Sequence, residues 1–186
     1  KVQDYEKKKK DTKKIHIVSC GRLVNVKNTI QIIKLIGFIG TFLNEYKIIY
    51  SCIGNGPELK RVKKSAETNL RNIEFNLIDK VPSLYEFLKK NDTDFYINLS
   101  FSEGMSFALM EAMSLSIPVI CSNIPGNTEI VNNENGYVLS SYNKLDIEKI
   151  VKQIKIDLEN NNIETKRINT FKTVNEKINR RVVLEN

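Results

Sequence analysis

One stretch constrains the fold more than any other: residues 95–122, FYINLSFSEGMSFALMEAMSLSIPVICS. Its pattern is strand, polar loop, short helix, second strand. Phe95, Ile97 and Leu99 form a β-rich apolar run that ends at Ser100 to Ser102. Gly104 permits a sharp turn, and Ser106 is a candidate N-cap. Met105, Ala108, Leu109, Ala112 and Leu115 then recur at helical spacing, an apolar stripe that Pro118 closes. Val119-Ile120-Cys121 opens a buried strand.

The rest of the chain repeats this alternation. Strands are expected at 15–20, 46–53, 73–77 and 137–139, and helices at 28–43, 57–69, 83–90 and 145–158, with Asn28 a candidate cap. Residues 161–186 read as a basic, partly helical tail. Strands alternating with helices imply an α/β fold, a Rossmann-like parallel sheet with helices on both faces. Ligands of such sheets bind beyond the carboxyl ends of the strands. The loops at Gly21 to Lys27, Gly54 to Pro57 and Ser100 to Ser106 all follow strands and belong to that edge.

Two carboxylates flank the central unit. Glu103 lies in the loop before the helix, and Glu111 at the edge of its apolar stripe. Both can be read as solvated structural groups. Alternatively they flank an anionic ligand held on the helix N-terminal amides of Gly104, Met105, Ser106 and Phe107.

Composition narrows the function classes. The formal charge is +7, but seven lysines against Asp4, Glu6 and Asp11 place +4 of it in residues 1–14. That segment reads as a charged linker, and no nucleic-acid motif accompanies it. No run of ~18 apolar residues suggests a membrane span. Cys20, Cys52 and Cys121 lack metal or disulfide spacing and read as free thiols in a reducing compartment. His16, alternating with Ile15 and Ile17, reads as structural. Asp92-Thr93-Asp94 leads into a strand and is not expected to hold a metal.

The segment SEGMSFALMEAMSLSIPVICSNIPGNTEIVNNENGYVLS resembles the carboxy-terminal region of family-four retaining glycosyltransferases, marked by E-x7-E. Glu103 and Glu111 have that spacing. EAMS, IPVI, PGNTEIV and NG-x-x-L follow in family order, and GRLVNVKN resembles the family's G-R-L-x-x-x-K segment. The resemblance implies the carboxy-terminal half of a GT-B enzyme, with residues 15–160 binding a sugar nucleotide. It implies that Arg22 and Lys27 contact the diphosphate, Glu103 the transferred sugar and Glu111 the ribose. Gly21, Gly54, Gly104, Met105, Ser106 and Phe107 would complete the donor site. No metal or other cofactor is implied. A glycan or lipid-linked acceptor would bind a separate amino-terminal domain, which carries the family's active-site histidine. The chain begins with Lys rather than Met, so it is expected to be the donor half alone and inactive by itself.

The implied setting is bacterial surface-polysaccharide assembly, capsule or lipopolysaccharide, in the cytoplasm at the inner face of the plasma membrane, with peripheral membrane association. The alternatives are a non-catalytic nucleotide- or partner-binding module and an unrelated Rossmann-like enzyme. Absence of G-x-G-x-x-G and G-x-x-x-x-G-K-[ST] disfavours the latter. Departures from the family pattern are Ser106 and Ser116 at common Gly positions, Pro125 for the first residue of a Gly-Gly pair, and Leu77 at a frequent Gly site after the third strand.

Overall fold

The structure, a computed structural model, describes residues 13–184, with side chains through 177. Six strands form one parallel sheet: β1 (Lys14–Cys20), β2 (Lys47–Ile53), β3 (Glu74–Ile78), β4 (Phe95–Asn98), β5 (Val119–Ser122) and β6 (Gly136–Leu139). Their spatial order is β3-β2-β1-β4-β5-β6. The helices are α1 (Thr29–Phe42), α2 (Leu59–Asn69), α3 (Leu84–Lys90), α4 (Phe107–Ser114), α5 (Pro125–Thr128), α6 (Lys144–Glu159) and α7 (Asn162–Leu184).

Both faces of the sheet are buried, which explains strands that are apolar at odd and even positions alike. Ile15, Ile17, Phe95, Ile97 and Ile120 face the layer holding α1, α2 and α6. Val18, Tyr96, Val119 and Cys121 face the layer of α3 and α4, where Val174 of α7 also packs. Chain order reverses between β1 and β4, which pair through Ile17↔Phe95 and Val18↔Tyr96. The helices after these two strands leave toward opposite faces, so a crevice opens above their carboxyl ends.

Several expectations shift in detail. β1 begins at Lys14, inside the stretch read as linker; residues 1–12 lie outside the described residues. Leu77 lies within β3, paired with Cys52, so Asp79 and not Leu77 occupies the position after that strand. The buried side of α4 is Leu109, Ala112 and Met113, with Met105 and Leu115 only half-buried. The tail is a continuous helix of 23 residues. Its apolar periodicity is thin because polar groups anchor it: Arg167 donates to Asp94 Oδ1 at 3.0 Å, and buried Thr170 donates to Asn135 O at 2.8 Å.

The end of α4 explains one departure from the family pattern. Ile117 N–H bonds Ala112 O and Ser116 N–H bonds Met113 O, a Schellman cap whose left-handed residue is Ser116, at φ 60°. Glycine adopts that conformation without a Cβ clash. Ser116→Gly is therefore expected to stabilise the domain by about 0.5–1 kcal/mol, the relief of strain less the extra freedom of the unfolded chain. Urea midpoints of the two proteins check this.

Candidate functional site

Lys27 and Glu103 are 76 residues apart in sequence and meet directly. Lys27 ends the 3-10 turn Asn25–Lys27 that leads from β1 into α1. Asn28 follows in a left-handed conformation at φ 54°. Its side chain does not cap α1 as the sequence suggested; it donates to Leu99 O at 3.1 Å. Phe101 N–H also bonds Val26 O at 2.9 Å. These bonds tie the loop after β1 to the loop after β4 and bring Lys27 Nζ to 2.5 Å from Glu103 Oε1.

The same oxygen accepts from Ser100 Oγ at 2.7 Å and Asn98 Nδ2 at 3.3 Å. Asn98 is oriented in turn by Ser100 N–H, which donates to its Oδ1 at 3.0 Å. All three donors converge on Oε1; Oε2 has no partner among the described residues. A carboxylate held in this way is fixed in plane while half its acceptor capacity stays open. Burial, the largest influence, pushes the Glu103 carboxyl up, but Lys27, Ser100 and Asn98 together outweigh it and hold the pKa below the usual value. Glu103 is therefore a carboxylate near neutral pH. Neither Asn98 nor Ser100 was singled out in the sequence, where both looked like the ordinary end of a strand.

Above Glu103 the backbone is packed closely. A Cβ on Gly126, in α5, would come within 2.3 Å of both Glu103 O and Gly104 O. Gly126 thus sets the height of the loop, whereas Gly104 itself has open space around it. Ser106 occupies the N-cap position of α4 but makes no side-chain cap bond. First-turn amides of α4 accordingly lack that internal partner and can receive an anion. Met105 and Ser106 are half-buried here, and Phe107 is exposed at the rim.

The other expected residues gather at the same edge. Gly54, at φ 151°, packs so tightly on the first loop that a Cβ would lie 1.9 Å from Gly21 O. A Cβ on Gly21 would touch the Lys27 stem at 3.6 Å. Arg22 is exposed, with no side-chain partner among the described residues. The Glu111 carboxylate is half-buried and also unpaired there. Its field reaches the crevice floor. Burial, then Glu111 and Cys52, push the Cys20 thiol up to about 11 against the opposing pull of Lys27. The Tyr96 hydroxyl, which donates to Cys20 O at 3.1 Å, is raised by burial first and by Cys20, and it feels Glu103 and Glu111 as well. Lys27 and Glu103 thus line one crevice above β1 and β4, and the Glu111 charge acts on its floor at Cys20.

Other sequence candidates are structural. His16 is buried, with Nδ1 3.0 Å from Asn91 O and Nε2 2.9 Å from Ser51 Oγ. Asp94 joins Arg167 and the His16 amide. Cys52 and Cys121 are buried free thiols and Cys20 a half-buried one. A cavity of about 390 Å³ lies at the β6 edge, between β6, α6 and Lys166. None of the expected site residues lines it. Lys166 there is held by Asn133 O, Asp157 and the Tyr137 ring. The crevice lined by Gly21, Lys27, Asn98, Ser100 and Glu103 encloses only about 20 Å³.

The six-stranded parallel sheet, with Lys27, Glu103 and the start of α4 at its topological switch, makes the chain a Rossmann-like α/β domain. The sequence profile of glycosyl transferases group 1 matches residues 2–172, and the chain belongs to that family. It is 33% identical over 87% of its length to an uncharacterized glycosyltransferase of Methanocaldococcus jannaschii, covering 40% of that protein. It is 26% identical over 68% of its length to the UDP-Gal:alpha-D-GlcNAc-diphosphoundecaprenol alpha-1,3-galactosyltransferase of Escherichia coli, covering 34% of it. The crystal structure of the C-terminal domain of a group 1 glycosyl transferase, LpcC, from Francisella tularensis superposes with TM-score 0.69 at 18% identity. That match covers 88% of this chain and 86% of the other. The chain thus spans about a third to two fifths of these two curated relatives.

Proposed function

We propose that this domain binds the sugar-nucleotide donor of a retaining glycosyltransferase. The observation that carries the reading is Glu103, fixed through Oε1 by Lys27, Ser100 and Asn98, with Oε2 open in the loop that leads into α4. An open carboxylate oxygen accepts from sugar hydroxyls, and unpaired helix amides donate to a phosphate. The diphosphate lies between those amides, of Gly104 to Phe107, and the cations Lys27 and Arg22. Charge developing on the leaving diphosphate meets donors already in place, so the step requires little reorganisation. Glu103 orients the transferred sugar and Glu111 accepts from the ribose hydroxyls. Lys27 balances the charge without a metal.

The acceptor, a glycan or lipid-linked sugar, binds a second domain. The lipid-diphosphate acceptor in the name of the Escherichia coli relative supports a role in surface-polysaccharide assembly at the cytoplasmic face of the membrane, with peripheral association of the whole enzyme. No helix among the described residues is long and apolar enough to cross a membrane. The 186-residue chain alone is expected to show no turnover, because half of the transition-state contacts are missing. A non-catalytic binding module of the same fold is disfavoured by the retention together of Arg22, Lys27, Glu103 and Glu111.

Titration calorimetry of the chain with UDP, GDP and ADP, and with their sugar conjugates, tests the reading. At least one nucleoside diphosphate should bind, and Glu111→Gln should weaken it. Failure of all of them to bind at millimolar concentration would remove donor binding as the function.

A further inference from the structure

The carboxyl end of β3 carries a carboxylate that the donor reading leaves unused. Asp79 directly follows β3 and is exposed. Asn55 Nδ2 donates to its Oδ1 at 2.6 Å. Asn55 is itself held at two points: Gly56 N–H donates to its Oδ1 at 2.7 Å, and Leu23 N–H to its backbone carbonyl at 2.9 Å. A chain of bonds therefore runs from the loop of Arg22, through the loop after β2, to Asp79. Oδ2 of Asp79 has no partner among the described residues.

The direction of a bound nucleotide follows from the packing and rests on the donor-binding reading. With the ribose at Glu111 on α4, the neighbouring helix on that face of the sheet is α3. Residues 79–83 lead from β3 into α3. Ile78, Val81 and Leu84 share one apolar layer with Leu109 of α4. Asp79, at the carboxyl end of β3, opens the loop that runs into α3 on that face, the side toward which a base beyond the ribose would extend.

We infer that Asp79 reads the nucleobase and selects guanine. Guanine presents two adjacent donors, N1–H and the N2 amino group, that match the two oxygens of a carboxylate. Oδ1 keeps a second lone pair although Asn55 uses one. Uracil offers a single N–H between two carbonyl oxygens that a carboxylate repels. Adenine offers one amino group beside an acceptor nitrogen. A bidentate, charge-assisted pair discriminates against a base lacking it by roughly tenfold or more.

The test is the affinity of the 186-residue chain for GDP, UDP and ADP by titration calorimetry, beside Asp79→Asn and Asn55→Ala. GDP should bind about tenfold or more tightly than the other two. Asp79→Asn should bring the three affinities together, and Asn55→Ala should narrow the gap by loosening the carboxylate. UDP or ADP binding as tightly as GDP in the unaltered chain overturns the inference while leaving donor binding standing. So does a GDP preference that survives in Asp79→Asn. Failure of all three to bind overturns the donor reading and this inference with it.

Discussion

Replacing Lys27 by methionine should cut nucleoside-diphosphate affinity roughly 10- to 100-fold, the loss of one charge-assisted hydrogen bond to an anion. Methionine keeps the length of the stem along Gly21, so the loop can retain its path. A second effect follows from the ion pair with Glu103. Glu103 is ionised more readily in the folded chain than in an unpaired glutamate, with Lys27 the strongest of the groups that offset its burial. Its carboxylate therefore contributes stability above the unfolded pKa, and that contribution is lost as pH falls through the lowered folded pKa. Without Lys27 burial is opposed only by Ser100 and Asn98, so the folded pKa rises. Acid destabilisation of Lys27→Met should then begin at higher pH than in the parent chain. Urea midpoints measured from about pH 3 to pH 7, spanning the ordinary glutamate range, check this. A variant with unchanged diphosphate affinity would place the phosphate elsewhere.

The fold was readable because its signals are local and redundant. Both faces of the strands other than β3 are buried, so a strand such as β1 carries apolar residues at odd and even positions alike, and it runs into a loop that holds Gly and Asn. The alternation of strand and helix does not depend on fine boundaries. The site was only half readable. Lys27, Glu103 and Glu111 stand out as charges beside post-strand loops. What holds them does not: Asn98, Ser100 and Asn28 are neutral and buried, and their partners lie up to 71 residues away. Gly126 carries no mark of its own in the sequence, because its role depends on a close approach to Glu103 O and Gly104 O. Asn28 and Ser106 sit at helix starts, where capping is the usual expectation. Asn28 instead spends its side chain on a tertiary bond. Likewise α7 shows little apolar rhythm, since Arg167 and Thr170 dock it through polar bonds that no periodicity reveals.

Glu103→Gln and Glu111→Gln should fail in different ways in the two-domain enzyme proposed here. A group that meets the ribose touches the nucleotide in the ground state and in the transition state alike. Removing its charge raises KM for the donor and weakens free nucleoside diphosphate as well, by roughly 1–3 kcal/mol, with kcat little changed. That is the expectation for Glu111→Gln. Glu103 meets only the transferred sugar, which a free nucleoside diphosphate lacks. Glu103→Gln should therefore leave diphosphate affinity within about threefold of the parent and lower kcat by roughly 100-fold or more, because a misplaced sugar loses alignment at the reacting carbon. The amide also reverses one polar contact. Its NH2 group cannot accept from Lys27, Ser100 and Asn98, so it turns toward the ligand or the trio loses its acceptor. Ser100→Ala separates these causes, since it keeps the carboxylate and removes one 2.7 Å bond that fixes it. Its kcat should fall between the parent and Glu103→Gln, at unchanged diphosphate affinity. Calorimetry with the nucleoside diphosphate and steady-state kinetics with the donor measure all three variants. Equal loss of diphosphate affinity in Glu103→Gln and Glu111→Gln would refute the division of roles.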